Sequence, residues 1–104
     1  MKRHTLIVTS AAHAGREAEY HKWYDTRHLA DMLALPGIVS GRRLDAAPNS
    51  PNRPPAPCLA IFEIEADDPL TVLAEMNRRA QSGEMSLTDA LDPSAVQIWL
   101  YAHH

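Results

Sequence analysis

Residues 58–65, CLAIFEIE, constrain the fold more than any other stretch of this chain. They alternate as a strand does, and both alternating sets are apolar: Ala60, Phe62 and Ile64 on one side, Leu59 and Ile61 on the other. A strand of this kind needs cover on both faces. The preceding residues 46–57, AAPNSPNRPPAP, hold five prolines and form an extended loop that cannot pair as a central strand.

The remaining elements can be placed around this strand. Residues 4–9, HTLIVT, read as a first strand, and SAAHAGREAEYHKWYDTRHLADMLAL as a helix ended by Leu35-Pro36-Gly37. Residues 38–45, IVSGRRLD, form a second strand despite Gly41. Asp68 and Pro69 are a helix start and Gly83 its stop, with an apolar stripe drawn from Leu70, Leu73, Ala74, Met76, Asn77 and Ala80. Ser86 and Asp89 open a short helical turn reaching Leu91, and residues 95–101, AVQIWLY, close the chain as a strand. The order βαββαβ is that of an α+β, ferredoxin-like protomer: a four-stranded antiparallel sheet with helices on one face. Two helices cover only one face. A second copy of the chain is the economical cover for the other, so a homodimer is expected.

The 104 residues suit one domain, 1–104, with 45% apolar and 22% charged residues. A net charge of −3 offers no electrostatic attraction to nucleic acid or an anionic membrane. The apolar run Leu6–Val8 is too short for a signal peptide, no stretch approaches a bilayer span, and Cys58 has no second cysteine to pair with. A cytoplasmic setting is the expectation. P-loop, G-x-G-x-x-G and G-x-S-x-G motifs are missing from the sequence, which argues against NTPase, dinucleotide and serine-hydrolase chemistry.

Residues 19–37, EYHKWYDTRHLADMLALPG, carry the chemistry. On a regular helix Tyr20, Trp23 and Tyr24 share one side, whereas Leu29, Met32 and Leu33 cluster on roughly the opposite one. Both groups cannot face one sheet, so a kink or break is expected between Thr26 and His28, with a short second helix from about Leu29 to Leu35. His28 then sits at a helix N-terminus, whose dipole keeps the imidazole neutral and fit to be a general base. Asp25 is the expected orienter of the ring, and Tyr24 a donor to a developing oxyanion.

The run Tyr20-x-x-Trp23-Tyr24-x-x-x-His28, followed by Leu35-Pro36-Gly37, resembles the signature of EthD-like proteins of the dimeric α/β barrel superfamily. The position two after the histidine, often proline in that family, is Ala30. The resemblance implies a protomer whose sheet pairs with its twin as a barrel, and a pocket between the sheet and the helices. It also implies small, often cofactor-free enzymes acting on aromatic, polyketide-like or lactone substrates, with some haem-dependent branches.

Other candidate pocket residues are Tyr20, Trp23 and His4, the last alternating with Leu6 and Val8 and equally able to lie at a strand end. Trp99 and Tyr101 either line a pocket or form dimer contacts. Glu63, in mid-strand, is a candidate buried acid. His21, Asp25 and His28 lack metal-site spacing, so no metal and no cofactor is expected. The expected activity is cofactor-independent proton transfer of lyase, isomerase or cyclase type on an aromatic or polyketide-like carbonyl compound, catalysed by His28, Asp25 and Tyr24. The alternatives are a cofactor-free monooxygenase of the same fold, or a non-catalytic accessory protein that binds a hydrophobic metabolite.

Overall fold

A computed structural model describes residues 2–104 and gives the order β1 (Lys2–Ser10), α1 (Glu17–Trp23), a π-helical turn (Tyr24–His28), α2 (Leu29–Leu33), β2 (Ile38–Asp45), β3 (Cys58–Ala66), α3 (Pro69–Ser82), a 3-10 turn (Pro93–Ala95) and β4 (Gln97–Ala102). The strands form one antiparallel sheet in the order β2-β3-β1-β4, as expected of a ferredoxin-like protomer. The central strands β1 and β3 are the most apolar, and Leu6 of β1 stands between Phe62 of β3 and Leu100 of β4.

On the helix-bearing face Leu6, Ala60, Phe62 and Ile64 pack against Tyr20, Tyr24, Met32 and Leu35 from the first helical segment and Val72 from α3. Burying each large side chain there contributes about 1.5–3 kcal/mol. Gly41 on β2 leaves room for the Phe62 ring, because a Cβ at that position would lie 2.6 Å from Phe62 Cδ1. Asp68 caps α3 by accepting the Leu70 amide, and Gly83 closes it with φ 84°.

Three expectations need correction. First, the expected kink or break takes the form of a π turn at Tyr24–His28: α2 starts at Leu29 as expected, but the backbone stays helical through residues 17–33. Ala30, unlike proline, keeps its N–H and does not interrupt the ladder. The π turn solves the packing problem differently. One residue of slack turns everything downstream by about 100°, which swings Met32 from about 80° off Tyr24 to within about 20° of it. Met32 is buried as a result, and Leu33 is the residue left exposed. Second, residues 86–91 form no helix; Asp92 and Pro93 instead start the 3-10 turn, Asp92 accepting the Ser94 amide. Third, α3 buries Val72 and half-buries Leu73, Met76 and Ala80, while Leu70, Ala74 and Asn77 are largely exposed.

The opposite face of the sheet carries no helix. Ile7, Leu59 and Ile61 are half-buried there, and Trp99 and Tyr101 are 37% and 58% exposed. Glu63 also lies on this face, where its carboxylate accepts the Thr5 hydroxyl at 3.0 Å and meets His103 Nε2 at 3.0 Å. It is therefore a half-buried, partnered acid rather than a sealed one. No helix among the described residues is long and apolar enough to cross a membrane.

Candidate functional site

A cleft of about 180 Å³ lies between the helical layer and the β1/β4 half of the sheet. Trp23, Tyr24, His28 and Met32 form one wall, Val8, Val96 and Ile98 the sheet side, and Met76, Met85, Leu87 and Leu91 the remainder. Its few polar points are Ser10, Tyr24, His28 and Asn77. Such a surface accepts a flat apolar molecule and offers it a small number of directed hydrogen bonds.

The π turn builds the polar corner. The indole of Trp23 and the imidazole of His28 stack at 4.6 Å and 19°, while the Tyr24 ring meets the imidazole edge-on at 4.8 Å and 87°. Trp23 is anchored from behind, its Nε1 donating to the Ser86 carbonyl at 3.3 Å. The Ser86 amide in turn donates to Asp31 at 2.9 Å. The loop that sequence reading made helical thus pins both α1 and α2.

His28 is neutral, as expected, but for another reason. Burial pushes its pKa down to about 4, with Asp31 pulling it up and Arg43 pushing it further down. No helix dipole is needed: the helix runs through His28, and the Leu29 amide is already bonded to the Tyr24 carbonyl. His28 Nδ1 is buried without a partner, so an imidazolium would carry an unpaired N–H. Nε2 is not sealed in this way. Burial also raises the Tyr24 phenol, aided by Tyr20, so Tyr24 keeps its proton and can donate it to an oxygen.

Asp25 does not orient His28. Its carboxylate, 62% exposed, accepts from Arg43 Nη1 at 2.7 Å. Arg43 Nη2 donates to His21 Nδ1 at 2.9 Å, and its guanidinium lies 4.2 Å from the centre of the Tyr24 ring. Tyr20 is fully buried behind Tyr24, its hydroxyl 2.5 Å from Ser10 Oγ, and supports the site rather than lining it. His4 pairs with Ile64 at the far end of β1, away from the cleft, its Nδ1 buried and unpartnered. Trp99 and Tyr101 project from the uncovered face. The structure therefore gathers His28, Tyr24 and Trp23 and separates Asp25, His4, Trp99 and Tyr101 from them.

Arg43 is the residue that sequence reasoning passed over. Its signal lay in the register of β2: Gly41 and Arg43 share a face, and Gly41 packs against the core residue Phe62. The methionines of the cleft were likewise unassigned.

No protein-family model matches the sequence, and no curated protein matches it. Solved structures do. The haem-degrader MhuD from Mycobacterium tuberculosis, solved with two haems in its active site, superposes with a TM-score of 0.66 at 14% identity over 96% of this chain and 94% of that one. SnoaB, a cofactor-independent oxygenase from Streptomyces nogalater, gives 0.57 at 17% identity over 97% and 92%. An ethyl tert-butyl ether degradation (EthD) family protein from Bacillus halodurans gives 0.53 at 10% over 95% and 97%. The chain shares with these proteins its α+β, ferredoxin-like fold.

Proposed function

We propose that this chain is an oxygenase that works without a bound cofactor on a flat, enolisable aromatic ketone or phenol, with His28 as the proton acceptor. The observation that carries the reading is the neutral imidazole of His28, stacked on Trp23 and edged by Tyr24 at the corner of an apolar cleft. Nε2 takes a proton from an active methylene, and Tyr24 donates to the enolate oxygen that results. The carbanion gives its electrons to dioxygen, forming a C–O bond and a peroxide anion. Imidazolium returns the proton to the distal oxygen. Loss of the second methylene proton with cleavage of the O–O bond releases water, so that CH₂ and O₂ become C=O and H₂O.

A base held near pKa 4 suits a substrate whose proton is already acidic. The imidazolium, costly in the empty cleft, becomes tolerable beside the enolate it has just formed. Lyase or isomerase chemistry, the first expectation from sequence, uses the same base and stops before oxygen. The fold shared with a cofactor-independent oxygenase and a haem-degrader favours the oxygenase. The corner fits haem poorly: a metal-bound histidine donates its second ring nitrogen to a partner, and Nδ1 of His28 has none. We further propose a homodimer joined through the uncovered sheet face.

The test is dissolved-oxygen uptake with a panel of polycyclic aromatic ketones and hydroquinones, wild type against His28→Ala, beside hydrogen exchange from D₂O under nitrogen. His28-dependent uptake with quinone formation supports the oxygenase. Exchange without uptake returns the lyase or isomerase reading, and ligand binding indifferent to His28 leaves a binding protein.

A further inference from the structure

We infer that Arg43 is the positioning residue of the His28 corner: its guanidinium clamps the π turn to β2 and presses the Tyr24 ring into place, and so holds the imidazole against Trp23. The inference rests on reading His28 as the working group. Arg43 reaches His21, Tyr24 and Asp25, which together span the last turn of α1 and the start of the π turn. Its side chain is only 16% exposed, unlike the solvated ion pairs elsewhere on the surface. Exposed pairs contribute little, whereas a fork held on three sides fixes geometry.

The Tyr24 ring is the link. One face receives the guanidinium at 4.2 Å, and the ring meets His28 edge-on at 4.8 Å. Moving the cation lets the ring move, and no hydrogen bond to Nδ1 holds the imidazole in its place. A single π turn is a rare departure from α-helical geometry, and it is found chiefly where its surroundings hold it in place. Arg43 and Asp31 are the charged groups whose fields act on His28. Arg43 lies outside the lining of the cleft, so its role is exerted through Tyr24.

The test needs no turnover. The His28 Cε1–Hε1 signal is followed by NMR through an acid titration in wild type, Arg43→Met, Arg43→Lys and Asp25→Asn, with circular dichroism to verify folding. In wild type the stacked indole shifts Hε1 upfield, and the imidazole stays neutral at pH 5. Arg43→Met abolishes most of the upfield shift and raises the titration midpoint by roughly half a unit to one unit, since a repelling charge is gone. Arg43→Lys keeps a charge but not the fork, so the upfield shift falls while the midpoint stays low. Should Arg43→Met not fold, Asp25→Asn takes its place, and the stacking shift is expected to fall there too. An unchanged Hε1 shift in folded Arg43→Met, or in Asp25→Asn if the former is unfolded, overturns the inference. The function fails separately, through absence of His28-dependent D₂O exchange and oxygen uptake in wild type.

Discussion

Trp23 and His28 lie stacked, ring centres 4.6 Å apart and planes 19° from parallel, across the turn that departs from α-helical geometry. The contact covers one face of the imidazole, denies it water, and leaves its edge for a ligand.

Loss of the imidazole removes the proton acceptor. His28→Ala is expected to lower the rate of oxygen uptake by about 10²–10⁴-fold while retaining ligand affinity within about tenfold. Oxygen-electrode rates and a fluorescence binding titration check this. A variant with undiminished turnover removes His28 from the mechanism.

The same group makes stability depend on pH. In the unfolded chain His28 takes up its proton near pH 6.5, and in the folded protein only near pH 4. Between these values the unfolded state binds more protons, so stability falls as pH drops from about 6.5 to about 4, by about 3 kcal/mol in total. Urea denaturation of wild type and His28→Leu at pH 7 and pH 4.5 separates this contribution from that of the carboxylates: the loss is expected to be smaller in the variant. The acid limb of kcat/KM is expected near pH 4 as well, well below that of an ordinary histidine.

Gly41 makes the core register testable. Alanine there places a methyl 2.6 Å from the Phe62 ring, and Phe62 is fully buried with no space to retreat. Gly41→Ala is expected to destabilise the protein by about 1–3 kcal/mol, read from the denaturation midpoint.

The uncovered face predicts assembly. Trp99→Glu puts a charge among Ile7, Ile61 and Tyr101, and is expected to shift a dimer towards monomer in light scattering while leaving the His28 signals unmoved. A wild-type monomer at all accessible concentrations ends the dimer proposal.

The strands and their order could be read from sequence because alternation and breakers are local: CLAIFEIE and the Asp68-Pro69 start define themselves without reference to the rest of the chain. The need for an irregularity near residue 26 was also visible, since the group Tyr20, Trp23 and Tyr24 and the group Leu29, Met32 and Leu33 could not otherwise face one sheet. Its form was not, because a break and a π turn satisfy the same pattern, and the choice depends on how Tyr24 and Met32 pack. Asp25 misled for a similar reason. Proximity in sequence suggested His28 as its partner, whereas the sheet register supplies Arg43, 18 residues away. Trp99 and Tyr101 had two open readings, and the β1–β4 register puts both on the far side of the sheet from His28.

The π turn also sets which changes of chain length this protein can survive. A further residue inserted between 24 and 28 would turn Met32 and Leu35 by about another 100°, away from the sheet, whereas losing one would restore a regular helix and leave their direction unchanged. The proline-rich residues 46–57, by contrast, pair with no strand and can lengthen or shorten at the cost of loop entropy alone. Insertions should therefore accumulate in the proline-rich segment and be purged from the π turn, where only loss of the extra residue keeps Met32 and Leu35 on the sheet. The direction of Met32 and Leu35 relative to Tyr24 would then be a more durable mark of this fold than the exact length of the 20–28 spacing.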